Sequence, residues 1–182
     1  MKKTLLLAGV SCLFSAQVNA LEVKPYVGLD VGGSHAEYNG LFEAADIDEN
    51  FVVSNLNLGL RFEKYLGIEF SAQGSSEVDA VEADFSYSSV NADVLVYAPL
   101  YEKAELFGLA GVGYYTFDLK NDLGHDYELH LQNNETAFRL GGGIQYNINE
   151  KWAVRGAVRH VFIDNDYIDT ITEFTLGVRY NF

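Results

Sequence analysis

Apolar and polar residues alternate with a period of two in runs of about ten residues, separated by turn-forming clusters, and this predicts strands with one apolar face. The first run sets Val23, Pro25, Val27, Leu29 and Val31 against Glu22, Lys24, Tyr26, Gly28, Asp30 and Gly32. The second sets Leu56, Leu58, Leu60 and Phe62 against Asn55, Asn57, Gly59 and Arg61, and the third sets Ile68, Phe70 and Ala72 against Glu69, Ser71 and Gln73. Val90, Ala92, Val94 and Val96 then oppose Asn91, Asp93 and Tyr97. A Gly-rich fifth run turns Gly108, Ala110, Val112 and Tyr114 away from Gly111, Gly113 and Tyr115. In the sixth, Phe138, Leu140, Gly142, Ile144 and Tyr146 oppose Arg139, Gly141, Gly143 and Gln145. The seventh places Val154, Val158 and Phe162 opposite Arg155, Ala157 and Arg159, and the eighth places Phe174, Leu176, Val178, Tyr180 and Phe182 opposite Glu173, Thr175, Gly177, Arg179 and Asn181. Eight such segments suit an all-β, eight-stranded antiparallel up-and-down barrel.

The links alternate in length. Short ones lie around Glu63 to Leu66, Ala98 to Ala104 and Asn147 to Lys151; longer ones lie around Ser34 to Asn50, Ser75 to Asp84, Asp118 to Asn134 and Asp164 to Thr170. That asymmetry is expected of a membrane barrel with short periplasmic turns and long outer loops. A soluble barrel with its apolar face inside would show the same alternation, so the placement of charge decides. All five arginines, Arg61, Arg139, Arg155, Arg159 and Arg179, fall on the polar, glycine-bearing face, with Glu22, Asp30, Glu69, Asp93 and Glu173. A narrow barrel filled by its own side chains can bury such groups if they pair. Lys64, Lys103 and Lys151 instead sit in the short links, where an ammonium stays wet. Aromatic residues gather near both strand ends: Phe62, Tyr65, Tyr97, Tyr101, Tyr146, Trp152, Tyr180 and Phe182 toward the turns, and Phe51, Phe85, Tyr87, Phe117 and Phe162 toward the loops. This suggests the two aromatic girdles of a membrane barrel.

The chain has 182 residues, and residues 1–20 read as a signal peptide. Lys2 and Lys3 precede an apolar stretch from Leu5 to Phe14, and Val18-Asn19-Ala20 offers a cleavage site before Leu21. The sole cysteine, Cys12, lies in that segment, so residues 21–182 fold as one barrel domain without disulfides. Removing Lys2 and Lys3 from the twelve basic residues leaves ten against 26 acidic ones, a net charge of −16. Such acidity excludes nucleic acid as a natural partner.

Val178-Arg179-Tyr180-Asn181-Phe182 resembles the terminal assembly signal of outer-membrane proteins, and Gly108-Leu109-Ala110-Gly111-Val112-Gly113-Tyr114 resembles the Gly-rich strand of the small porin-family barrels. That family takes in the OmpA-like transmembrane domain, the OmpX/Ail group and the opacity-type proteins. The resemblance is one of pattern and extends over residues 21–182. It implies a Gram-negative outer-membrane location and contact with outer-membrane lipid and lipopolysaccharide. It also implies delivery by the outer-membrane assembly machinery through the C-terminal strand.

Little in the sequence suggests catalysis. The lipid A deacylases of this fold carry a His and a Ser two residues apart on the outer surface. Here His35 is followed two positions on by Glu37, His125 by Tyr127, His130 by Gln132 and His160 by Phe162. No HExxH, Cys pair or phosphate-cradling Gly loop occurs, and no catalytic or cofactor-binding residue is assigned, nor any cofactor. The long links are rich in carboxylates: Glu37, Glu43, Asp46, Asp48 and Glu49; Glu77, Asp79 and Glu82; Asp122, Asp126 and Glu128; Asp164, Asp166 and Asp169. Such clusters attract Ca²⁺ or Mg²⁺, although none has EF-hand spacing and the metal-ligating residues stay unknown. The expectation is a non-enzymatic barrel serving envelope integrity or surface interaction through its acidic loops. Open alternatives are an adhesin or resistance factor that binds a host or phage partner, a lipid A-modifying enzyme and a weak pore.

Overall fold

The computed structural model describes residues 22–38, 50–76, 78–80, 83–122, 128–163 and 168–182; the signal segment 1–20 lies outside them. The alternating runs form β1 (Val23–Tyr38), β2 (Asn50–Phe62), β3 (Leu66–Ser75), β5 (Ala83–Pro99), β6 (Ala104–Asp122), β7 (Glu128–Asn147), β8 (Trp152–Ile163) and β9 (Ile168–Asn181). A three-residue strand, β4 (Val78–Ala80), pairs with the start of β5. Every pairing is antiparallel, in the order β3-β2-β1-β9-β8-β7-β6-β5, and β3 pairs with β5 to close the ring. The result is a closed eight-stranded up-and-down barrel with no free edge in the ring.

Side-chain parity follows the sequence pattern. Burial in β2 alternates strictly from Asn50 to Leu60, and the inward positions include Asn55, Asn57 and Gly59. The outer wall shows Leu176 at 71 % exposure and Val31 at 62 %, whereas Arg159 and Arg179 are each 1 % exposed. Water would oppose so large an apolar exterior, whereas hydrocarbon favours it. No helix among the described residues is long and apolar enough to cross a membrane.

The short links are tight. β2 turns into β3 through Glu63, whose φ of 51° lies in the left-handed region, and the Glu63 amide donates to the Glu22 carbonyl at 2.8 Å. Between β7 and β8, the Asn149 side-chain oxygen accepts from the amides of Lys151 at 2.9 Å and Trp152 at 2.8 Å, so the side chain stands in for a backbone turn bond.

The long links differ from the sequence reading. β1 runs on to Tyr38, while β6 reaches Asp122 and β7 begins at Glu128, so most of the Asp118 to Asn134 stretch is paired strand. β4 likewise occupies part of the Ser75 to Asp84 link. The loop side of the barrel is a protruding ribbon wall, because polar residues pair as strands once the lipid boundary is passed.

Candidate functional site

Two regions gather the polar chemistry: the lumen, and the loop-side rim of the outer wall. In the lumen four arginines (Arg139, Arg155, Arg159 and Arg179) and four carboxylates (Asp30, Glu69, Asp93 and Glu173) are buried among the described residues, so the charges balance. Asp30 is the hub. Arg179 holds it with both terminal nitrogens, at 2.6 and 3.1 Å, and Asn57 Nδ2 donates to it at 2.9 Å. Arg159 and Arg155 approach the same carboxylate at 3.5 and 3.9 Å. Glu69 accepts from Arg155 at 2.7 Å and from the Tyr26 hydroxyl at 2.8 Å. Glu173 accepts from Gln73 at 2.6 Å. The link between Arg139 and Asp93 is looser, an ion pair at 3.6 Å with no hydrogen bond to either Asp93 oxygen.

Glycine makes room for these side chains. A Cβ on Gly28 would collide with the Arg179 guanidinium, and one on Gly177 with the Asp30 carboxylate. Both glycines face directly across from these groups in the register, Gly28 from Arg179 and Gly177 from Asp30. Inward glycine next to inward charge is how a narrow lumen holds long side chains.

Two buried apolar clusters flank the charged layer. Toward the loops, Phe51, Tyr87, Tyr115, Phe117, Val161 and Ile171 belong to one buried cluster. Tyr87 lies 5.5 Å from Phe51, 6.2 Å from Tyr115 and 6.1 Å from Phe117 between ring centroids. Its hydroxyl donates to Ser34 Oγ at 2.7 Å, which satisfies the buried phenol. Toward the turns, Leu95, Tyr97, Phe107, Leu109 and Ala157 form a second cluster. At the turn-side mouth Arg61 forks onto Glu105 at 2.7 and 3.1 Å and lies 4.2 Å over the Tyr97 ring.

This corrects the girdle assignment. Phe51, Tyr87 and Phe117 on the loop side and Tyr97 on the turn side point inward, at 5 % exposure or less. Their parity carried the signal, because Tyr87 shares its face with Asn91 and Asp93, and Phe51 with Asn55 and Asn57. Tyr65, Tyr101, Tyr146, Trp152, Phe162 and Phe182 are exposed on the outside, as a girdle requires.

The histidines also differ from the linear reading. His125 lies outside the described residues, and His130 lies in β7. His160 has no hydroxyl two residues on, but Thr172 of the neighbouring strand faces it, and His160 Nδ1 stands 2.9 Å from Thr172 Oγ1. Thr172 is in turn the register partner of His35, whose Nδ1 lies 3.3 Å from Asn50 Oδ1. The nearby Thr170 hydroxyl donates to Glu37 at 3.0 Å. These contacts cross strand boundaries and depend on register, which sequence spacing alone does not supply.

Of the loop carboxylates, Glu37 is described and exposed. Asp79, Asp122, Glu128 and Asp169 lie in β4, β6, β7 and β9. Glu43, Asp46, Asp48, Glu49, Glu77, Glu82, Asp126, Asp164 and Asp166 fall outside the described residues. No group of three or more potential metal ligands occurs among the described residues.

Comparison with known proteins follows the same lines. Among curated proteins the sequence finds no match. The fold is similar to Ail, the attachment invasion locus protein of Yersinia pestis, at 21 % identity and a TM-score of 0.63, covering 89 % of this chain and 100 % of that one. A second structure of Ail holds the heparin analogue sucrose octasulfate. Neisserial surface protein A aligns at 16 % identity and a TM-score of 0.72, covering 88 % of this chain and 99 % of that one. The outer membrane enzyme PagL aligns at 14 % identity and a TM-score of 0.50, covering 85 % of this chain and 98 % of that one. At such identities the likeness concerns fold, and the fold is shared by surface proteins and an enzyme alike. The profile of the outer membrane protein beta-barrel domain matches residues 4–182, and the chain, a bacterial outer-membrane barrel, belongs to that family.

Proposed function

We propose that the protein is a non-enzymatic outer-membrane barrel that supports envelope integrity or surface interaction, with the acidic loop end as its interacting part. The observation that carries this reading is the filled lumen. Among the described residues paired charges occupy its middle and buried apolar clusters lie beside them, which supports a packed interior rather than a conduit. What remains available to partners is the rim and the loops, which a rigid scaffold holds at their bases.

Charge narrows the partner class. Ail is seen with a sulfated heparin analogue, but this chain carries a net charge of −14, with fourteen carboxylates in its long links. A polyanion would be repelled, whereas a basic surface, or a divalent cation bridging to lipopolysaccharide phosphate, would be drawn in. The assembly machinery is expected to engage the C-terminal strand ending at Phe182.

The test compares a deletion strain with its parent for uptake of a hydrophobic dye and for the mass spectrum of lipid A. Increased uptake that the wild-type gene restores, with lipid A unchanged, is expected. Altered lipid A acylation would contradict the non-enzymatic reading. Full complementation by a variant with the loop carboxylates changed to amides would contradict the role given to the loops.

A further inference from the structure

On the loop side β7 outruns the strand beside it. Its ladder with β6 continues without a register shift from Ala104↔Tyr146 to Asp122↔Glu128, whereas its ladder with β8 begins only at Ala137↔Ile163. From Glu128 to Asn133, β7 therefore has β6 on one side and, among the described residues, no strand on the other. β6 is itself covered by β5 up to Ala83↔Asn121, so the open edge belongs to β7. Residues 164–167, which join β8 to β9, are too few to fill it. A link of that length that must also return reaches about 7 Å past β8, whereas the edge from Ala137 to Glu128 is roughly 30 Å long.

The direction of the backbone groups along this edge follows from the far end of the strand. There the Asn147 amide donates to the Lys103 carbonyl at 2.7 Å, on the β6 side, and the Ile148 amide donates to the Trp152 carbonyl at 2.9 Å, on the β8 side. Successive residues of a strand direct their N–H and C=O groups to opposite sides. The register with β6 is unbroken, so odd-numbered residues of β7 bond to β6 and even-numbered ones face the other way. Glu128, His130 and Gln132 thus turn both N–H and C=O to the open edge.

Charge selects among the strands that fit here. The stretch from Asp118 to Glu135 carries the carboxylates Asp118, Asp122, Asp126, Glu128 and Glu135 against Lys120. A second copy fits badly. Two barrels in one membrane run β7 in the same direction, so their edges would pair in parallel and set like charges side by side. We infer that the open edge of β7 takes up an extended, basic segment of a foreign polypeptide as an additional strand. Backbone hydrogen bonds to Glu128, His130 and Gln132 hold it, and the surrounding carboxylates select its charge. The inference rests on the acidic loop end being the interacting part, and it names the kind of partner taken there.

The test uses barrel refolded into lipid nanodiscs and a fluorescent peptide of about ten residues that alternates lysine and threonine. Its counterpart, N-methylated at every peptide bond, keeps the charge and loses every backbone donor. In fluorescence anisotropy wild-type barrel binds the first peptide about ten-fold more tightly than the second. In NMR the amides of His130 and Gln132 exchange fast in the free barrel and slow when the first peptide binds, while that of Leu131 is slow throughout. His130→Pro/Gln132→Pro removes two edge-facing donors and no bond to β6, a change an edge strand tolerates. It lowers affinity for the first peptide about ten-fold. Equal affinity for the two peptides, or undiminished affinity in the folded proline variant, overturns strand addition and leaves charge attraction at the loop end in place. Slow exchange at His130 and Gln132 before peptide is added overturns it too, because residues 39–49 or a second copy then occupy the edge. If the proline variant does not fold, the two peptides on wild type decide. Binding of neither peptide overturns the inference together with the loop-end reading.

Discussion

Asp30 shows how much one side chain carries in this fold. It anchors Arg179 bidentately and lies within 3.9 Å of Arg155 and Arg159, all with side chains no more than 2 % exposed. Replacing such a buried partner leaves cations without their counter-ion, at about 3–5 kcal/mol. Asp30→Ala should therefore lower the unfolding free energy by about that amount in a urea titration of barrel refolded into lipid vesicles. Lys24→Ala, which removes a solvated pair with Glu22 at 3.0 Å, should change it by about 0–1 kcal/mol. Equal losses would show that the lumen network does not hold the barrel together. The arginines were legible in the sequence because period two fixes their face once one face is apolar. Their partners were not: Asp30 and Arg179 are 149 positions apart, and only ring closure brings them together.

At the scale of elements, the strands were legible where apolar alternation lasts and illegible where it stops. β6 and β7 extend to Asp122 and from Glu128 through polar sequence, paired in register from Ala104↔Tyr146 to Asp122↔Glu128. Backbone hydrogen bonding to a neighbouring strand, rather than an apolar face, makes them strands there. The aromatic residues near the loop ends were misplaced for a related reason. Proximity to a strand end suggested a girdle, while parity, the stronger signal, pointed Phe51, Tyr87 and Phe117 inward. The last strand offers a separate test. Phe182 is 74 % exposed and touches Tyr180 at 5.2 Å, so its removal costs the finished barrel little packing. Deleting Phe182 should sharply reduce the amount of protein recovered in outer-membrane fractions while leaving the urea midpoint of refolded barrel within error of wild type. Normal outer-membrane levels would contradict the assembly-signal reading.

For the molecule as a whole, a closed ring with an inward charge network and an outward apolar wall was legible from charge placement and strand count; the open edge of β7 was not, because it arises from unequal strand lengths beyond the apolar alternation. The filled lumen predicts no stable open-pore conductance in planar bilayers, and Phe117→Ala alone should not create one, since the charged layer and the turn-side cluster remain. Steady porin-sized steps from wild type would contradict the filled interior. The central claim, that the apolar face meets lipid and the charged face lines the lumen, is tested most directly on β9, whose residues alternate between the two. Residues 21–182 hold no cysteine, so single spin labels can be placed by Phe174→Cys, Thr175→Cys, Leu176→Cys and Val178→Cys in barrel refolded into lipid vesicles. Collision with oxygen, which concentrates in hydrocarbon, should be high at 174, 176 and 178 and low at 175. The opposite phase, or no alternation at all, would contradict the account, because a shift of one residue turns every side chain to the other face.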